Sequence, residues 1–213
     1  MQINEHNYYE KIGNWDFDQI KYKTEKLTSW DFYEKIKEYT TKDSICLDLG
    51  TGGGEKVLKY YPEVKKIYAT DFSRGMINTA KENLKAYPER NVEFMQMDNL
   101  NMTFEDETFD LISARHTVID AKQIYKALKP NGVLVIEGVD QKDCWELKTL
   151  FERGQAYKDK NPISKIDYEA LKEAGFSKIE LIEIRGDEYY ETEEDLLALL
   201  LKKLHAYLFQ PFR

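Results

Sequence analysis

The sequence predicts an α/β protein with a doubly wound sheet, in which helices cover both faces of mostly parallel strands. Between residues 44 and 137, short apolar runs alternate with amphipathic helical runs, which is typical of parallel strands joined by helices. The first of these runs leads into a glycine-rich loop, Gly50–Gly54, and an acidic residue follows each of the next two runs. Loops and side chains at the carboxyl ends of parallel strands form the ligand crevice of such sheets.

Five strands are predicted for the middle of the chain. Each candidate is short and apolar, as strands buried on both faces of a sheet are. They are Ser44–Leu49, Lys66–Thr70, Val92–Gln96, Phe109–Ser113 and Gly132–Glu137. Two more strands are predicted near Lys178–Ile184 and Asp187–Glu191, which would bring the sheet to seven strands.

Helices are predicted between the core strands. In Ser73–Ala86, apolar residues recur every three or four positions, so that they share one helical stripe. The helix Ala121–Leu128 is followed by Pro130, which cannot continue a helix, and by Gly132, which turns the chain into the next strand.

The two ends of the chain are also predicted to be helical. The first forty residues carry many aromatic side chains and are expected to form a helical cap. Near the other end, Asp167–Ala174 is a predicted helix that ends at Gly175. Thr192 precedes three acidic residues and is the predicted N-cap that opens the leucine-rich helix Leu196–Leu208.

The chain is interpreted as one domain, with residues 1–40 as the cap, 41–140 as the core and 141–213 completing the sheet. Its 213 residues, 42% of them hydrophobic, suffice for one buried core. No apolar run reaches the roughly 18–20 residues of a membrane span, and the N-terminus lacks the layout of a signal peptide. A cytoplasmic location is therefore expected. The net charge of −8 disfavours a nucleic-acid partner, which needs a positive face.

The glycine-rich loop distinguishes two kinds of nucleotide site. A dinucleotide-binding loop has glycine at its first, third and sixth positions, but the sixth position counted from Gly50 is Glu55. The acidic residues Asp48 and Glu55 on either side of the loop would also repel a pyrophosphate. They suit a positively charged ligand instead. A glycine-rich turn without any ligand is the remaining alternative.

The pattern Asp-x-Gly-x-Gly-x-Gly over Asp48–Gly54, with Asp71 and Asp98 after the next two strands, resembles the cofactor site of class I S-adenosylmethionine-dependent methyltransferases. The resemblance covers roughly residues 40–140, including the turns that lead into the fourth and fifth core strands. It implies a Rossmann-like sheet of seven mostly parallel strands with an antiparallel strand near one edge. The chain is similar to the broad group that includes the ubiquinone-biosynthesis methyltransferases.

This resemblance implies S-adenosyl-L-methionine as the cofactor and S-adenosyl-L-homocysteine as its product. Asp71 would accept the ribose hydroxyls, Asp98 would accept the adenine amino group, and Asn99 would serve the ring edge through its backbone amide. Phe72 and Met76 would form an apolar slot for the purine. The full predicted cofactor set is Asp48, Gly50, Thr51, Gly52, Gly54, Asp71, Phe72, Met76, Asp98, Asn99 and Arg115.

The methyl acceptor is expected beyond the fourth and fifth core strands, because ligands in open α/β sheets lie at the carboxyl ends of strands. His116 is a candidate general base at this place, although methyl transfer often needs no base. Arg115 could also contact an anionic acceptor or hold the loop, and Asp140 is a candidate acceptor contact. Candidates for a lid that excludes water, or else for packing against the sheet, are Tyr9, Trp15 and Trp30.

The predicted activity is methyl transfer to a small molecule, with oxygen or carbon rather than nitrogen as the acceptor atom. The alternatives are an RNA or protein methyltransferase on the same core, a cofactor-binding protein without turnover, and a dehydrogenase. Net acidity and the absence of an Asn-Pro-Pro-Tyr-like element after the fourth core strand argue against base or amide methylation. No metal is expected, because Cys46 and Cys144 have no partner at zinc-ligand spacing.

Overall fold

The computed structural model describes residues 21–154 and 156–199 of the chain. Strands and helices alternate through most of this part. In chain order the elements are β1 (Tyr22–Lys26), α1 (Phe32–Glu38), β2 (Ile45–Leu49), α2 (Glu55–Tyr60), β3 (Lys66–Asp71), α3 (Arg74–Leu84), β4 (Val92–Gln96), β5 (Phe109–Arg115), α4 (Ala121–Ala127), β6 (Leu128–Glu137), α5 (Trp145–Phe151), α6 (Ile163–Ala174) and β7 (Gly186–Tyr190), and a further helix begins at residue 193.

The centre of the fold is a five-stranded parallel sheet in the order β4-β3-β2-β5-β6. The predicted α/β core is confirmed, and its strands lie close to their predicted bounds. The largest departure is β6, which begins at Leu128 because that residue pairs with Phe109 ahead of a register shift. The chain order reverses between β2 and β5, and such a switch point is where ligands bind in open α/β sheets.

Helices pack on both faces of this sheet, so the doubly wound arrangement is also confirmed. One face has a buried cluster that includes Ile36, Val57 and Ile77, and the other has a cluster that includes Phe109, Ile112 and Ile124. In β2, Cys46 belongs to the first cluster and its neighbour Leu47 to the second, as the two-residue period of a strand requires. Because both faces are buried, the core strands are apolar along most of their length.

The predicted seven-stranded sheet is wrong in its last two strands. β7 lies close to its predicted position, but it pairs antiparallel with β1 in a separate two-stranded ribbon. The segment Lys178–Ile184 is irregular rather than a strand. Its end is tied to the turn after β1, where Thr28 Oγ1 donates to the carbonyl oxygen of Glu183. The ribbon forms because β1 offers β7 a full backbone partner, and Tyr22 stacks on Tyr190 with ring centroids 5.7 Å apart.

The predicted helical cap is wrong for residues 22–26, which form β1, while residues 1–20 lie outside the described part. α1 is helical, and its N-cap Asp31 accepts the backbone N–H groups of Tyr33 and Glu34. Phe32 and Ile36 on this helix are buried in the core. α1 therefore belongs to the main hydrophobic core and is not a removable cover.

Other helix boundaries follow their capping residues. Ser73 caps α3 by accepting the N–H of Met76, and Gly175, with φ of 112°, ends α6. Thr192 is confirmed as a cap, since its Oγ1 accepts the N–H of Asp195 over 3.1 Å. Residues 200–208 of the predicted last helix lie outside the described part. Of the helices in residues 21–154 and 156–199, none combines the length and the apolarity that crossing a bilayer requires.

Candidate functional site

The glycine loop after β2 lies at the switch point of the sheet. Its three alternate glycines all have left-handed backbone, with φ of 72° at Gly50, 59° at Gly52 and 78° at Gly54. A Cβ at Gly54 would lie 2.7 Å from the ring of Phe94, and a Cβ at Gly50 would lie 2.6 Å from Cβ of Thr117. A Cβ at Gly52 would meet nothing within 4 Å. Gly50 and Gly54 therefore permit close packing within the protein, whereas Gly52 borders an open cradle.

Asp71, the last residue of β3, fixes the open side of this loop. Its Oδ2 accepts the N–H of Gly52 and its Oδ1 accepts the N–H of Ser73, each over 2.9 Å. Burial raises the pKa of Asp71, and the two N–H donors oppose that rise. An ionised carboxylate has roughly four acceptor positions. Asp71 can therefore still accept hydrogen bonds from a ligand beside Gly52.

Asp48 lies beneath the glycine loop as a buried carboxyl group. Its Oδ1 accepts the hydroxyl of Ser113 over 2.7 Å, and the hydroxyls of Ser113 and Tyr61 are 3.2 Å apart. Burial raises the pKa of Asp48 to about 6, although the Ser113 hydroxyl and the charge of Arg115 oppose the rise. The hydroxyl of Thr51 makes no hydrogen bond of ordinary length within the described residues, yet it lies near enough to favour the charged form of Asp48.

The loop after β4 reaches the same place. The carboxylate of Asp98 accepts from two donors within the next three residues, which closes a tight turn. Asn99 Nδ2 donates to Thr117 Oγ1 over 2.9 Å and to the carbonyl oxygen of Val118 over 3.3 Å. Within the described residues, the buried Oδ1 of Asn99 has no hydrogen-bond partner. The loops after β2, β4 and β5 therefore meet at Thr117.

The two residues predicted for an apolar slot differ in exposure. Phe72 directly follows Asp71 and is 51% exposed, so half of its surface is accessible to a ligand. Met76 lies on the first turn of α3 and is 3% exposed. Phe72 is therefore the more accessible of the pair.

A charged group lies at the carboxyl ends of β5 and β6. Glu137 Oε1 accepts from Arg115 Nε over 2.7 Å, and His116 Nε2 lies 3.3 Å from the same oxygen. Tyr33 of α1 lies near this group. Burial raises the pKa of the Tyr33 hydroxyl, the negative charges of Asp48 and Glu137 raise it further, and Arg115 lowers it.

The family comparison identifies the domain that carries this site. The sequence model of a methyltransferase domain matches residues 46–132, which include the glycine loop, Asp71 and Asp98. Over these residues, the core of this chain is a methyltransferase domain. The chain spans about half the length of the first curated relatives that it matches.

Two curated relatives and one solved structure are similar to this methyltransferase domain. A 2-phytyl-1,4-naphtoquinone methyltransferase of Trichormus variabilis is 30% identical over 102 residues, which is 43% of this chain and 44% of the relative. A carboxy-S-adenosyl-L-methionine synthase of Shewanella woodyi is 26% identical over 192 residues, which is 84% of this chain and 74% of the relative. An S-adenosylmethionine-dependent methyltransferase from Aquifex aeolicus has the same fold, with a TM-score of 0.57. The two chains are 20% identical, and the match covers 85% of this chain and 94% of the other.

The remaining predicted site residues lie outside residues 46–132. Trp30 packs against the hydrophobic core beside Phe32, which favours the packing interpretation, and Tyr9 and Trp15 lie outside the described residues. Asp140 is exposed, and its Oδ2 accepts from Ser164 Oγ over 3.1 Å. Within residues 21–154 and 156–199, no group of three or more His, Cys, Asp or Glu side chains is arranged to hold a metal ion.

Sequence reasoning missed three residues of this site. Glu137 ends a strand that was predicted, so the rule that selected Asp98 could also have selected it. Ser113 lies inside β5 and Thr117 follows it. No local signal marked these two, because their importance depends on which strands are neighbours.

Two glycine substitutions should separate packing from ligand binding in the methyltransferase domain. Gly52→Ala and Gly54→Ala both force a left-handed alanine, which costs about 1–2 kcal/mol. Gly54→Ala must also displace the ring of Phe94 and should lower the free energy of unfolding further. Gly52→Ala should instead weaken binding of S-adenosylhomocysteine by about tenfold or more, because its methyl group enters the cradle. Chemical denaturation and calorimetry measure the two effects, and equal loss of affinity in both variants would contradict the assignment of the cradle.

Proposed function

We propose that this protein transfers a methyl group from S-adenosylmethionine to a small-molecule acceptor. The open cradle at Gly52 carries the proposal. It is bordered by the carboxylate of Asp71, which accepts the N–H of Gly52, and it lies at the switch point of the sheet. A backbone exposed at a glycine, with a carboxylate at the end of the next strand, is the arrangement that adenosine ligands use in α/β sheets.

The residues at the cradle fit this cofactor in charge and in shape. Asp71 would hold the ribose hydroxyls, Phe72 would cover the purine, and the loop of Asp98 and Asn99 would bind its edge. Asp48 would favour the positive charge of the ammonium and sulfonium groups. S-adenosylmethionine supplies an activated methyl group, so the protein mainly needs to orient the acceptor and exclude water.

A small molecule with an oxygen or carbon acceptor atom is the substrate class that we propose. Support comes from relatives whose names describe methylation of 2-phytyl-1,4-naphtoquinone and demethylmenaquinone. A protein acceptor is the second candidate, because a ribosomal protein L11 methyltransferase of Listeria innocua is 27% identical over 157 residues. Carboxylation of the cofactor is the third candidate, because this chain is similar to carboxy-S-adenosyl-L-methionine synthases.

Calorimetry with S-adenosylmethionine, S-adenosylhomocysteine and NAD tests the cofactor assignment. Both sulfur compounds should bind, and NAD should bind far more weakly, since the sixth position of the loop is Glu55 rather than glycine. Tighter binding of NAD would contradict the proposal. Incubation with methyl-labelled cofactor and a cell extract, separated into small molecules, protein and RNA, then identifies the class of acceptor. Label in the protein or RNA fraction alone would exclude a small-molecule acceptor.

A further inference from the structure

Glu137 holds His116 at both its backbone and its ring. The N–H of His116 donates to the carbonyl oxygen of Glu137 over 2.8 Å, and His116 Nε2 lies 3.3 Å from Glu137 Oε1. Arg115 pairs with Glu137 across the two strands and donates to the same oxygen over 2.7 Å. The side chain of Glu137 therefore contacts both Arg115 and His116, which are consecutive at the end of β5.

The contact with Glu137 determines which ring nitrogen of His116 carries hydrogen. Burial raises the pKa of Glu137, but the hydrogen bond from His116 and the charge of Arg115 outweigh it, so the net pKa of Glu137 is lowered. An ionised carboxylate can only accept hydrogen bonds. Nε2 is the ring nitrogen of His116 that lies 3.3 Å from this carboxylate, which favours hydrogen on Nε2 and leaves Nδ1 with a free lone pair in the neutral ring.

His116 is also held in an unusual backbone conformation next to the cofactor loop. Its φ is 52°, in the left-handed region that only a few per cent of residues other than glycine adopt. The next residue, Thr117, lies against Gly50 of the glycine loop. The side chain of His116 is 43% exposed, compared with 18% for Glu137. The ring is therefore held by Glu137 while part of its surface stays accessible to a ligand.

We propose that Glu137 is a positioning residue that presents Nδ1 of His116 as a general base, and that the acceptor carries an ionisable phenol-type hydroxyl. This inference rests on the proposed function. Nδ1 takes the hydroxyl proton, and the electron pair of the oxygen, or of the ring carbon conjugated to it, forms the bond to the methyl carbon. On the carbon route, the methylated ring carbon then loses its hydrogen as a proton and the oxygen regains one, which restores the aromatic ring. The carbon–sulfur bond breaks, and its electron pair leaves the sulfur neutral in S-adenosylhomocysteine. The exposed His116 then releases the proton to solvent.

The other charged and titratable groups near Glu137 have different roles in this arrangement. Arg115 is paired with Glu137, so it compensates that carboxylate and is not an anion site for the acceptor. Tyr33 has a raised pKa and remains a neutral hydroxyl. Asp48 is committed to Ser113. His116 is therefore the residue of this group whose side chain is available as a base.

Ring nitrogen spectroscopy tests the positioning role without any acceptor. In protein labelled with ¹⁵N in its histidine rings and saturated with S-adenosylhomocysteine, His116 should show one neutral tautomer, with hydrogen on Nε2. The variant His116→Asn assigns the signal and tolerates the left-handed backbone. Glu137→Gln should produce a mixture of tautomers, whereas Glu93→Gln, which removes a carboxylate paired with Lys66 on the same sheet, should change nothing. Hydrogen on Nδ1, or a tautomer unaffected by Glu137→Gln, would overturn the proposal.

Methyl transfer to matched probes tests the acceptor class. Labelled product should form from 1,4-dihydroxynaphthalene and not from 1,4-diaminonaphthalene. His116→Asn should lower kcat by about 100-fold or more and abolish the acid limb of the pH–rate profile. Glu137→Gln should lower kcat by about tenfold, because the ring of His116 is no longer held in the tautomer that leaves Nδ1 free.

The outcomes separate this inference from the proposed function. Protein that binds S-adenosylhomocysteine but does not methylate the diol, or that methylates the diamine faster, would overturn the acceptor class. Full activity of His116→Asn on the diol would overturn the general base. Failure to bind S-adenosylhomocysteine at all would instead contradict the proposed function.

Discussion

Replacing Asp71 with alanine is expected to weaken binding of S-adenosylhomocysteine by about 2–3 kcal/mol, or roughly 30- to 150-fold. The substitution removes a charge-assisted acceptor for buried ribose hydroxyls. It also releases the N–H of Gly52, which Asp71 Oδ2 accepts over 2.9 Å, so the open side of the glycine loop loses its support. Titration calorimetry on the folded variant measures the loss directly.

Asp110→Ala is the matched control for this experiment. Asp110 lies at the opposite, amino-terminal end of the sheet, where its carboxylate accepts the N–H of Ile45 and pairs with Lys129 at 2.8 Å. Removing the Asp110 carboxylate breaks hydrogen bonds comparable to those of Asp71, but at a position that is remote from the cradle. Asp110→Ala should therefore lower stability and leave the affinity for S-adenosylhomocysteine unchanged. A similar loss of affinity in both variants would mean that Asp71 acts only through the fold.

The parallel core could be predicted because its signals are local. A strand buried on both faces must be apolar along its length, and such a run is visible in Ile45–Leu49 without knowledge of its partners. Ser73 and Gly175 mark helix ends in the same way, because a cap bonds backbone groups only a few residues away. Asp71 and Asp98 could be found because the carboxyl ends of parallel strands meet at one edge.

The ribbon of β1 and β7 could not be predicted, because its determinants lie at opposite ends of the described chain. Tyr22 pairs with Tyr190, and β1 is exposed along its whole length. β1 therefore lacks the apolar periodicity that identifies a strand by itself, and although the sequence predicts a strand at the position of β7, it does not indicate its partner. The segment Lys178–Ile184 does have apolar residues at strand-like spacing, but it has no partner strand within the described residues.

The sequence predicts Arg115 and His116 as acceptor-side residues, but their pairing with Glu137 escaped prediction for a related reason. Arg115 and Glu137 become partners only through the register between β5 and β6. His116 has a left-handed backbone. Because the residue is neither glycine nor asparagine, the sequence does not indicate this conformation. Pairings that depend on register and backbone conformation are set by tertiary structure, so composition and spacing do not reveal them.

Asp48→Asn is expected to make the protein more stable at neutral pH and a weaker cofactor binder. Burial raises the pKa of Asp48 to about 6, compared with about 4 for an exposed aspartate. Between these two values the folded protein holds a proton that the unfolded chain has released. The contribution of Asp48 to stability therefore falls as the pH rises through this window and stays reduced above it. Asparagine has no charge to bury and can still accept from Ser113.

Chemical denaturation of both proteins near pH 8 and near pH 4.5 measures this effect. We expect Asp48→Asn to be more stable than the wild type by about 2–3 kcal/mol near pH 8, and by less than half of that near pH 4.5. Asp110→Asn is the control of opposite sign, because Ile45 and Lys129 outweigh burial and lower the pKa of Asp110. Its destabilising effect should be largest near pH 8 and should shrink as the pH falls.

If the advantage of Asp48→Asn is the same at both pH values, Asp48 is not a buried charge in the folded protein. If that variant also binds S-adenosylmethionine as tightly as the wild type, its carboxylate does not hold the positive end of the cofactor.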